Sequence, residues 1–231
     1  ALRTFVRQTR RITAAGIPMV IIAGNHDTPR LRTNGTAYSV LELALPEIDF
    51  ITGFEEESRD FDTLGVHVVG IPHGAMSMSV YDPIATIRDG WRNILLLHGM
   101  VPGMADIAHY EPGSQEISAN LLDPRFEYIA LGHYHVYGKQ NHNAWYAGST
   151  ERYGWGDENV TPGFVMVEFS EGRTEVADVR HVPIETRPMR SLAAINCEGR
   201  PPREIADMAL KRARDLGDAT AMSRIELRNV N

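Results

Sequence analysis

Three short apolar runs in this chain each stop at a motif that carries histidine. Met19 to Ala23 leads into Gly24-Asn25-His26-Asp27, Ile94 to Leu97 into His98-Gly99, and Tyr128 to Leu131 into Gly132-His133-Tyr134-His135. Runs this short and this apolar read as strands buried on both faces of a sheet. In open α/β sheets the carboxyl ends of such strands share one crevice, so motifs far apart in sequence can converge there. The pattern therefore points to a layered α/β fold in which these motifs can share one site.

The remaining elements fit that frame. Leu2, Phe5, Val6 and Ile12 fall at helical spacing, with Gly16 and Pro18 as stop signals. Further strands are expected at 49–52, 66–71, 93–97, 144–147, 163–169 and 174–179, and helices at 37–44, 83–88 and 117–122. Early alternation of helix and strand followed by strands alone predicts a mixed sheet sandwich flanked by helices, ending in antiparallel pairs. From Arg187 the texture changes. A strand at 191–195, Pro201-Pro202, a helical run through Leu216 closed by Gly217, and a strand at 222–227 read as a small β-α-β unit. The expected division is a main domain over 1–186 and the start of a separate subdomain over 187–231.

Composition excludes several classes. The 231 residues are 43% hydrophobic and 23% charged, as in ordinary folded proteins, and net charge is −7. No global positive field draws in nucleic acid or anionic lipid, so any DNA contact must come from a local patch, a metal or a partner. One cysteine, Cys197, excludes intrachain disulfides and cysteine-built zinc sites, and fits a reducing cytoplasm, the expected location. No apolar run approaches the ~20 residues that span a bilayer. Arginines scattered through residues 1–16 are unlike a secretory leader, and a helical pattern that opens without Met reads as a piece of a longer product.

The motifs differ in specificity. His98-Gly99 carries little alone, since His-Gly is common in turns and His73-Gly74 repeats it. In Gly132-His133-Tyr134-His135 the two imidazoles share one side of an extended segment and suit two neighbouring metals. Gly24 to Asp27 is the sharpest, its plain alternative being an Asn turn capped by Asp. Imidazole nitrogen together with the amide oxygen of Asn25 makes a mixed donor set suited to phosphoester hydrolysis on metal ions such as Mn²⁺.

On these blocks the chain resembles the calcineurin-like metallophosphoesterases, and more narrowly the SbcD-type nucleases of DNA double-strand-break repair. Three stretches narrow it: Gly16-Ile17-Pro18 with 24–31, the segment 126–133, and Tyr146 to Arg152. The terminal β-α-β piece is similar to the start of that family's capping domain. The resemblance implies a hydrolase with two divalent metals, Mn²⁺ foremost, clamping the attacking and leaving oxygens of a DNA phosphodiester. By motif matching, Asn25, His98 and His133 are ligands of the second metal and His135 of the first. His26 is the catalytic histidine, with Asp27 orienting it, and Arg152 of Ser149-x-Glu151-Arg152 is placed to meet a phosphate. Exonuclease or endonuclease action on DNA, an SbcC-type SMC-like ATPase partner and a homodimer are further implications.

Two family blocks, Asp-x-His and Gly-Asp-x-x-Asp, do not occur here. The chain as given is expected to hold metal weakly and to be inactive by itself. Two other functions stay open: a phosphoesterase for nucleotides or phosphoproteins, and an inactive fragment or scaffold that docks a partner. His67, His73, His109, His142 and His181 match no block and are expected to pack or face solvent. The aromatic residues around the last motif, Tyr134, Tyr137, Trp145, Tyr146, Tyr153 and Trp155, read as packing before base stacking.

Overall fold

A computed structural model describes residues 2–76, 86–102, 115–170 and 178–230. Helix α1 (Leu2–Ala14) turns Phe5 and Val6 inward and ends at Gly16, whose φ of +76° gives the left-handed stop that glycine adopts without strain. Strand β1 (Val20–Ile22) pairs in parallel with β2 (Asp49–Ile51), and α2 (Ala37–Ala44) forms the crossover between them. Thr36 caps α2: its hydroxyl accepts from Tyr38 N while Ser39 reaches back to the Thr36 N–H. Phe5, Val6, Met19, Ile21, Tyr38, Leu41, Leu45, Ile48 and Phe50 form one apolar cluster beneath these elements.

The main sheet contains β3 (Glu57–Phe61), β4 (Val66–Ile71), β5 (Arg92–His98), β6 (Tyr128–Gly132), β7 (Gly138–Lys139) and β8 (Ala144–Tyr146). Their order is β3-β4-β5-β6-β8-β7. The four central strands β4, β5, β6 and β8 run parallel and the two edges antiparallel. Val69, Ile71, Leu95, Leu97, Ile129 and Leu131 build its buried core with Phe126 and Tyr146. The two sheets approach so closely that a methyl on Gly70 of β4 would stand 2.6 Å from Ile51 Cδ1 of β2. A one-turn helix α3 (His73–Met76) follows β4. The chain closes with an antiparallel pair, β9 (Gly163–Glu168) and β10 (Asp178–Pro183), and with β11 (Met189–Asn196), α4 (Pro202–Asp215) and β12 (Met222–Arg228), in which β11 and β12 are parallel.

The mixed α/β sandwich agrees with the sequence reading, and the differences are local. A helix at 117–122 is one 3-10 turn, Ala119–Leu121. Residues 83–85 and 174–177 lie outside the described residues; 86–88 are not helical, and the last strand of the pair runs on to Pro183. Strand β3 has no apolar alternation because it is an edge strand, its Arg59 held by Asp49 at 2.9 Å and Glu57 at 2.8 Å. Among the described residues no helix is long and apolar enough to cross a membrane.

Candidate metal centre

Each histidine motif sits where its strand ends. After β1 the chain folds into a tight turn in which Asp27 N and Thr28 N donate to Gly24 O at 3.2 and 3.1 Å, and Thr28 Oγ1 donates to the same oxygen at 2.9 Å. The Asp27 carboxylate accepts from Gly24 N at 3.4 Å and from the Tyr38 hydroxyl. Burial, the Asp27 charge and this hydrogen bond push the Tyr38 phenol up to about 12. The turn leaves Asn25 half-buried and exposes His26.

His98 closes β5, directly across from Gly132 in the β5–β6 register. Its Nε2 stands 2.9 Å from Asn25 Oδ1, so two motifs separated by 73 positions meet side chain to side chain. His133 follows at once, its ring 5.5 Å from that of His98 and nearly perpendicular to it. His133 has φ +112°, a conformation that costs a non-glycine residue about 1–3 kcal/mol and that here turns the chain as β6 ends. Glycine is required on both sides of His98. A Cβ on Gly24 would lie 2.6 Å from His98 Cε1, and one on Gly132 2.8 Å from Nδ1.

Asn25, His98 and His133 are thus brought together, and His135 has a different neighbour. His135 Nδ1 lies 2.9 Å from both oxygens of Asp157, a buried carboxylate. Burial alone would push Asp157 up, but the bonds from His135 and from the Tyr153 and Gly154 N–H groups outweigh it and hold the carboxyl below its usual range. The Arg152 guanidinium donates to Thr186 Oγ1 at 2.7 Å, Val160 O at 2.8 Å and Arg187 O at 3.4 Å. It ties the 149–157 loop to the segment that leads into β11.

Three residues that sequence reasoning passed over support the site. Tyr38 holds Asp27. His73 donates its N–H to Ala23 O at 3.0 Å and sets Nδ1 3.3 Å from Thr28 Oγ1, bracing the same turn from α3. Asp157 lies in a Trp-Gly-Asp turn with no motif to mark it. Of the other unmatched histidines, His67 binds Asp60 at 2.6 Å and Thr86 O at 3.2 Å, His181 stacks on Tyr137, His142 is exposed, and His109 is outside the described residues. Trp145 and Tyr146 are buried, whereas Tyr153 is 72% exposed with its ring 5.6 Å from that of His135.

The donor chemistry fits one side of a metal site. Two cis ligands at about 2.1 Å from an octahedral ion stand about 3 Å apart, which is the spacing of Asn25 Oδ1 and His98 Nε2. No group of three or more His, Cys, Asp or Glu side chains gathered for a metal occurs among the described residues. The cluster of Asn25, His98 and His133 contains no carboxylate, the donor that supplies negative charge to divalent ions.

No family model matches the chain. It is similar to the DNA double-strand break repair protein Mre11 of three archaea. Identity is 29% to that of Sulfurisphaera tokodaii, covering 57% of this chain and 33% of the relative. It is 33% to that of Saccharolobus solfataricus, covering 59% and 34%, and 28% to that of Thermoplasma acidophilum, covering 78% and 50%. The chain thus spans about a third to a half of the length of the curated relatives it matches. These matches bear out the resemblance to the metallophosphoesterase nucleases.

Proposed function

We propose that this chain, a relative of the Mre11 double-strand break repair proteins and so of the metallophosphoesterase nucleases, is part of a nuclease that hydrolyses DNA phosphodiesters. The observation that carries the reading is the 2.9 Å meeting of Asn25 and His98 beside His133, at the ends of three strands of a mixed α/β sandwich. Asn25, His98 and His133 would hold one divalent ion and His135 a second, with Mn²⁺ suiting mixed amide and imidazole donors. The metals supply positive charge to the phosphoryl oxygens.

The chain's own residues do the rest. His26, exposed at the tip of the Gly24 turn, gives a proton to the leaving oxygen. Asp27 keeps that turn closed through Gly24 N and Tyr38 and so sets where His26 stands. Arg152 belongs to the substrate face as the tie that holds the 149–157 loop. Residues 1–186 form the nuclease domain in this reading and 187–231 begin a capping unit. The partner is an SMC-like ATPase of SbcC type, and the working form is a homodimer in the cytoplasm.

The test is Mn²⁺-dependent cleavage of linear duplex DNA by the protein together with whatever sequence precedes Ala1 in its gene. His26→Ala should lower the rate about 10²- to 10⁴-fold. The 231-residue chain by itself should not cleave, because it lacks the Asp-x-His and Gly-Asp-x-x-Asp blocks whose acidic side chains a metal pair needs. Turnover by that chain alone would sink the second expectation. Intact DNA alongside rapid hydrolysis of a small phosphodiester would move the protein to the nucleotide phosphoesterases.

A further inference from the structure

Asp157 is 2% exposed, and its carboxylate is held before any ligand arrives. Its Oδ2 accepts the N–H groups of Tyr153 at 2.9 Å and Gly154 at 3.2 Å, and both oxygens face His135 Nδ1 at 2.9 Å. The turn that carries it is anchored on the far side as well. Glu158 accepts Ser191 N at 2.6 Å and the Ser191 hydroxyl, while the Arg224 guanidinium lies over the Trp155 ring at 4.9 Å. The carboxylate is therefore a fixed post, and the imidazole is the group that adapts to it.

An ionised carboxylate accepts hydrogen bonds and donates none. A neutral imidazole carries one proton, and beside Asp157 that proton belongs on Nδ1, which leaves the lone pair on Nε2. We propose that Asp157 is a positioning residue that locks His135 in its Nδ1–H form and so presents Nε2 as the donor toward a divalent metal ion. A metal-ligating histidine that gives its other N–H to a carboxylate is oriented by it and made a better donor. The proposal rests on the reading of His135 as a metal ligand, and its test separates the two.

The measurement is long-range ¹H–¹⁵N NMR of the histidine rings in the ¹⁵N-labelled 231-residue chain, at a pH where imidazole is neutral. His135 should show the Nδ1–H form; in Asp157→Ala it should change to the Nε2–H form usual for free histidine, and Asp157→Glu should restore the original. An Nε2–H pattern in the unaltered chain, or an Nδ1–H pattern that survives Asp157→Ala, overturns the proposal. Mn²⁺ added to the same samples should broaden the His135 signals at about 10- to 100-fold higher concentration in Asp157→Ala. Broadening of His135 at the same Mn²⁺ concentration in both proteins also overturns it. A His135 in the Nδ1–H form that Mn²⁺ never reaches supports the tautomer lock and overturns the metal reading.

Discussion

A methyl group added at Gly132 would stand 2.8 Å from His98 Nδ1, and one at Gly24 would press the same ring from the other side at 2.6 Å. The imidazole fills the gap between two backbones, and its contact with Asn25 depends on that gap. Gly132→Ala should push His98 away from Asn25, lengthening the 2.9 Å contact and costing about 1–3 kcal/mol. A crystal structure of the variant with the contact unchanged would refute the cradle argument. Tyr38 gives a pH dependence. Its phenol has an ordinary pKa near 10 and is raised to about 12 in the fold, first by burial and then by the charge and hydrogen bond of Asp27. A group whose folded value lies above its unfolded one contributes stability that is complete below about pH 10 and disappears as pH rises toward about 12. Urea unfolding midpoints should therefore fall more steeply over that window in the unaltered protein than in Tyr38→Phe; parallel slopes would contradict the assignment.

Strand β8 acts on the site from two strands away. Tyr146 is fully buried, donates its hydroxyl to Gly99 O at 2.7 Å and accepts Val101 N at 2.9 Å, so it fixes the loop that leaves β5 just after His98. Tyr146→Phe keeps the ring and strands two backbone groups inside the protein, each an expense of about 1–3 kcal/mol when left unpaired. The chain should lose stability in that range, and hydrogen exchange at residues 99–101 should rise before exchange within β5. Protection unchanged at those amides would show that the loop is held by other contacts. Elements with a strong local pattern were legible in advance. The helix expected at 37–44 is α2, and β4, β5 and β6 follow from runs of aliphatic residues that fit a covered parallel sheet. Strands β3 and β7 and the one-turn α3 were not. Two are edge strands held by pairing or by charged side chains, and four residues of helix carry no period to read.

Over the whole molecule, local pattern carried the class of fold and the identity of the converging motifs, and three-dimensional contact decided how they converge. Apolar strands that end in Asn25, His98 and His133 belong to any chain with this sequence, because period and composition are local properties. The partners of those residues are not local. His98 finds Asn25 across 73 positions, His135 finds Asp157 across 22, and Arg152 finds Thr186 across 34. Motif matching assigned His135 to a different metal from Asn25, His98 and His133 and set Arg152 toward a phosphate; the contacts that only the fold supplies are a buried carboxylate for the first and a set of loop oxygens for the second. Asp157 itself had no periodicity, spacing or repeat to announce it. Its role exists only after the 149–157 loop, held by Arg152 and by the bond of Glu158 to Ser191 of β11, has closed over His135. Sequence by itself determined which side chains have the chemistry for this site. Packing decided which of them share a hydrogen bond, because the energy of that choice lies in contacts between segments that the chain order does not place together.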